Sequence, residues 1–101
     1  DRTPRSKRCD AIDGILKEGD GHLAEYQGSP AADAALIASA QAVEHYEITR
    51  YGTLRRWAEM LGLPKGADLL SETLEEESRT DELLTKIAEA EANAKAAQGD
   101  R

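Results

Sequence analysis

PAADAALIASAQAVEHYEITRYGTLRRWAEML (residues 30–61), the short break GLPKG (62–66) and ADLLSETLEEESRTDELLTKIAEAEANAKAA (67–97) decide the fold. With Leu36 at zero on a 100°-per-residue wheel, Ala40, Val43, Glu47, Tyr51, Leu54, Ala58 and Leu61 lie within roughly 60° of it. That stripe predicts one long helix over about 30–61. With Leu70 at zero, Thr73, Leu74, Glu77, Asp81, Leu84 and Ala88 share a second face, predicting another helix over about 66–97. Gly62 followed by Pro64 ends the first helix, and a connection this short makes the pair antiparallel. Each helix is about 45 Å long at 1.5 Å per residue and has few large apolar side chains, so the hairpin needs further helices to pack against. The expected class is all-α: a long-helix hairpin forming half of a four-helix bundle.

Working outward, Gln27-Gly28-Ser29-Pro30 reads as a stop and restart, with Ser29 placed to cap the new helix and Pro30 in its first turn. A shorter helix is expected over about 9–26, with Ile12, Ile15, Leu16 and Leu23 on one side and Gly14, Gly19 and Gly21 weakening it. Residues 1–8 read as a basic lead-in or linker, carrying four of the thirteen basic residues and one acid, so that 9–101 form a strongly acidic body. A net charge of −7 argues against nucleic acid and favours cationic partners. At 101 residues, with four aromatic side chains and no Phe, a self-sufficient core is thin, and an oligomer is expected. One cysteine excludes an internal disulfide framework, and no apolar run is long enough to span a membrane. A reducing cytoplasm follows as the expected compartment.

Acids stand where the two long stripes should be apolar. Glu47 is central on the first with Glu44 on its shoulder, and Glu77 and Asp81 are central on the second. Glu47 precedes Gly62 by 15 residues and Glu77 follows it by 15, so an antiparallel hairpin sets them at one height. Four hidden carboxylates need compensation, because desolvation costs several kcal/mol per charge. Protons, basic side chains or metal ions all satisfy that need. Arg50 is the one basic residue near that level, and it lies toward the flank. Two divalent iron or manganese ions would cancel four negative charges, a known use of glutamates in bundle interiors.

The words Ala40-Gln41-Ala42-Val43-Glu44-His45-Tyr46-Glu47-Ile48, Tyr51-Gly52-Thr53-Leu54, Ala58-Glu59-Met60-Leu61-Gly62 and Leu69-Leu70-x-x-Thr73-Leu74-x-Glu76-Glu77-x-x-x-Asp81 resemble the YciE/YciF family of ferritin-like bacterial stress proteins. The likeness extends back through Lys7-Arg8-Cys9-Asp10-Ala11. It implies a rubrerythrin-like four-helix bundle around two irons, a ferroxidase-type activity, and Glu44, Glu47, Glu77 and Asp81 as metal ligands. Members of that family carry two further helices before the segment resembling Cys9, so the missing helices or a second chain are expected to complete the bundle. Two hairpins paired about a two-fold axis would gather eight carboxylates, more charge than two metals neutralise, which favours the separate helices. Rubrerythrin-like relatives present Glu-x-x-Glu and then Glu-x-x-x-His; here the histidine position is Asp81, so any nitrogen ligand must come from elsewhere.

Tyr51, one turn after Glu47, is placed to hydrogen-bond that carboxylate or simply to pack. The wheel sets His45 nearly opposite the inner stripe, as a surface or subunit-contact residue; His22 has no spaced partner. Tyr46 and Trp57 flank the stripe, and Cys9 follows a basic cluster that favours its thiolate, although a lone cysteine also serves as a small apolar filler. Phosphate loops, Ser/His/Asp arrangements and zinc spacings do not occur. The alternative to a metal protein is a helical interaction protein that keeps the bundle architecture without a working metal site.

Overall fold

The computed structural model describes residues 3–98, which are all-α: α1 (Asp10–Glu25), α2 (Ala32–Met60), α3 (Pro64–Ile87), a π-helical turn (Ala88–Ala92) and α4 (Asn93–Gln98). Cys9 starts α1 from an extended conformation, its sulfur accepting the Ile12 amide at 3.5 Å, and Asp10 and Asp13 complement the positive end of the helix. Residues 3–9 are irregular and exposed; Asp1, Arg2 and 99–101 lie outside the described residues.

The start of α2 differs from the expected cap. Ser29 Oγ does accept an amide, from Ala31 at 3.0 Å, but that bond closes a turn ahead of the helix, and Ala31 is the capping residue, with no side-chain bond. The exit of α2 follows a Schellman pattern: Gly62 at φ 72° lets Leu63 N–H reach Ala58 O at 2.9 Å and Gly62 N–H reach Glu59 O at 3.1 Å. Pro64 then opens α3, so only Leu61, Gly62 and Leu63 separate the two antiparallel helices. The second helix is not regular to its end. Its π-helical turn presents Ala88 and Ala92 together against Ile37, with Ala34 and Leu84 beside them.

The seam between α2 and α3 is rotated from the Leu36 stripe. Ile37, Gln41 and Glu44 face α3, on a line about 100° round the wheel, whereas Leu36, Leu54 and Leu61 are 50%, 43% and 74% exposed. The physical reason is that α2 serves three flanks. One takes α3; a second takes α1, where Gly19 lies so close to Ser39 that an added Cβ would sit 3.2 Å from it; the third, carrying Leu36, Leu54 and Trp57, is uncovered. Extents of 59 × 27 × 14 Å describe a single layer of helices, since one helix with its side chains is about 10–12 Å across. Among the described residues no side chain is fully buried, and the core consists of Ile37 and four alanines. Half a bundle has this anatomy.

Candidate metal centre

One turn of α2 and one of α3 build the site. Glu44 and Glu47, three apart, lie on neighbouring ridges of α2, and Glu77 meets them from α3, because both helices count 15 residues from Gly62. One carboxylate oxygen of each lies within 4.8 Å of the others, and all three side chains are half-buried. Glu44 Oε2 is buried, and no donor among the described residues reaches it.

That crowding shifts the acids. Glu47 is held above the ordinary carboxylate range, chiefly by burial and then by the negative charge of Glu77. Glu77 is also raised, first by its hydrogen bond with Glu44, then by burial and by repulsion from the same group. Glu77 thus lies between the two α2 acids, and Glu47 and Glu77 keep their protons to higher pH than free carboxyls do. No Lys or Arg pairs with it among the described residues: Arg50 stacks its guanidinium over the Tyr46 ring at 5.2 Å. Protons or a bound cation remain as the compensating charge. An oxygen-only donor set that is partly desolvated fits a hard or borderline divalent ion such as Fe²⁺ or Mn²⁺.

Asp81 stands one turn beyond Glu77 and outside the triad. Its Oδ1 accepts from Gln41 Nε2 at 3.2 Å, and its Oδ2 lies 2.9 Å from His45 Nε2. Gln41 also donates to Thr85 Oγ1 at 2.7 Å. The wheel put His45 away from α3, but with the seam rotated its ring reaches across the interface while remaining mostly exposed. Tyr51 is half-buried, and among the described residues no hydrogen bond joins its hydroxyl to Glu47, whose carboxyl is engaged by Glu77 instead. Sequence reasoning missed Gln41. Counting from Gly62 offers the signal, because Gln41 precedes it by 21 residues and Asp81 follows it by 19, nearly one level.

Elsewhere, the Cys9 sulfur lies 3.4 Å from the Tyr46 hydroxyl; that hydrogen bond, helped by the Ile12 amide, lowers the thiol pKa. His22 makes no side-chain bond among the described residues, and none of their helices is long and apolar enough to cross a membrane.

Residues 1–97 match a protein family described as a domain of unknown function, DUF892. Over 89 residues the chain is 49% identical to protein YciF of Escherichia coli K12, covering 88% of this chain and 54% of YciF. The crystal structure of the E. coli stress protein YciF superposes with a TM-score of 0.78 at 49% identity, over 83% of this chain and 53% of that one. YcfI from Rhodopseudomonas palustris superposes at 0.76 with 44% identity, over 83% and 54% of the respective chains. The chain thus spans about half the length of the relatives it matches.

Proposed function

Because this chain belongs to the DUF892 family, to which its relationship with YciF attaches it, we propose that it is the hairpin half of a ferritin-like di-metal carboxylate protein of ferroxidase type. Glu44, Glu47 and Glu77 would hold iron, with manganese as the other candidate. The observation that carries this reading is Glu44 Oε2, a buried acceptor with no donor, aimed among two carboxyls that burial and repulsion already strain. A cation relieves all three at once. When bound, ferrous iron supplies one-electron chemistry toward oxygen or peroxide, which accords with the description of the E. coli relative as a stress protein.

The chain's own residues supply orientation and charge. Glu77 reaches between the two α2 acids, and Glu47 and Glu77, both held above the ordinary carboxylate range, must give up protons for a cation to enter. Their hard oxygens favour the higher oxidation state of the metal. Three carboxylates do not complete a two-ion site, so the remaining donors, including any imidazole, would come from additional N-terminal helices or a second chain seated on the uncovered face of Leu36, Leu54 and Trp57. A bacterial cytoplasm is the compartment we assign.

That same uncovered apolar face supports a second reading, a helical interaction protein without metal. Anaerobic titration with ferrous iron, followed by desalting and metal analysis, separates the two. The metal reading requires retained iron that Glu47→Ala abolishes while helicity persists. Iron-free protein after exposure to excess ferrous ion would leave the interaction reading.

A further inference from the structure

The buried apolar residues of the α2–α3 seam lie at its two ends. At the turn end Ala58 and Ala67 are buried, and at the far end Ile37 meets Ala88 and Ala92, but between them stand Gln41, Glu44, Asp81 and Glu77. Small side chains specify helix register weakly, and three acids that repel when ionised specify it against contact. One polar clamp opposes that repulsion. Gln41 Nε2 donates to Asp81 Oδ1 at 3.2 Å and to Thr85 Oγ1 at 2.7 Å, with a longer approach to Asp81 O at 3.4 Å, and His45 Nε2 takes Asp81 Oδ2 at 2.9 Å. Apart from the carboxyl contacts within the triad, these are the side-chain hydrogen bonds that join α2 to α3 among the described residues. Gln41 and His45 are one turn apart on α2 and bracket Glu44; Asp81 is one turn from Glu77 on α3. Clamp and triad are adjacent rungs of one ladder.

We infer that Gln41 and His45 are positioning residues: by gripping both oxygens of Asp81 from α2 they fix the height of α3 and hold Glu77 level with Glu44 and Glu47. This rests on the metal reading of the triad. Asp81, expected as a fourth ligand, acts in this arrangement as the handle by which α3 is held. A slip of one residue moves Glu77 by about 1.5 Å along the axis, enough to spoil a shared ion. Oriented outer partners of this kind set metal affinity without touching the metal.

The test is titration of the full chain with Mn(II) alone, reading free ion by electron paramagnetic resonance, alongside thermal melts of the metal-free protein. Gln41→Met keeps the side-chain length and removes the donor; His45→Ala removes an exposed ring. Each should weaken Mn(II) binding about 10-fold, and His45→Gln, which keeps a donor, should stay within about 3-fold of the parent. Metal-free melting temperatures should move by less than about 3 °C. Parent-like affinity in both variants, or losses that track the melting temperature, would overturn the inference while leaving the metal reading intact. A parent chain that binds no Mn(II), with Glu47→Ala indistinguishable from it, would remove the metal reading and the inference with it.

Discussion

Replacing Glu77 by glutamine removes the central acid of the triad and keeps its shape. At 4.8 Å, the limit within which the three carboxylate oxygens lie, two ionised carboxylates repel by about 3.5 kcal/mol at an effective dielectric constant near 20, and Glu77 faces two such neighbours. Shared protons and residual solvent relieve most of that, leaving a net gain of about 1–2 kcal/mol for Glu77→Gln in metal-free protein at pH 7. For a domain of this size the melting temperature should rise by about 5–10 °C. The sign with pH follows from the raised pKa values of Glu47 and Glu77. The folded chain keeps protons that the unfolded chain releases just above the ordinary value of 4.5. Stability from these groups is therefore full below 4.5 and is lost as pH rises through the raised values. Far-UV circular dichroism melts in chelator at pH 7.5 and pH 5 should show the gain from Glu77→Gln shrinking at the lower pH. A destabilised variant at pH 7.5, or an equal gain at both, would refute the crowded-acid picture.

Metal loading should release more protons from Glu47 and Glu77 at pH 5 than at pH 7.5, measured by calorimetry in two buffers of different ionisation enthalpy. Equal release at both pH values would contradict the raised carboxyls. Ile37→Ala opens a void against Ala88 and Ala92 and should cost about 2–3 kcal/mol in urea unfolding, a severe loss for so thin a core. The glycines of α1 should behave oppositely. Gly14→Ala, with open space around it, should stabilise by about 0.5–1 kcal/mol, whereas Gly19→Val collides with Ser39 and should cost about 1–3 kcal/mol, recovered in part by Ser39→Gly.

The helical period and the Gly62-Leu63-Pro64 break were enough to read an all-α hairpin from sequence, because a Schellman exit and a proline entry use local chemistry alone. Equal counting from Gly62 likewise set Glu47 opposite Glu77. Which face of α2 meets α3 was not legible. Large apolar residues dominate a hydrophobic wheel, and here Leu36, Leu54 and Leu61 line the uncovered flank while the seam itself is built from Ile37, alanines and polar groups. That rotation hid Gln41 and turned His45 inward. The π-helical turn at Ala88–Ala92 also left no trace in an alanine-glutamate run, whose composition suits a regular helix equally well.

Crystals grown without metal and soaked anaerobically in ferrous iron offer the most direct measurement, by anomalous diffraction at the iron edge. Iron density enclosed by the carboxylates of Glu44, Glu47 and Glu77, with Asp81 still held by Gln41 and His45, is the expected result. Density confined to the His45–Asp81 pair, or no ordered iron between α2 and α3, would contradict the proposal that the half-buried acids of this hairpin exist to hold a metal.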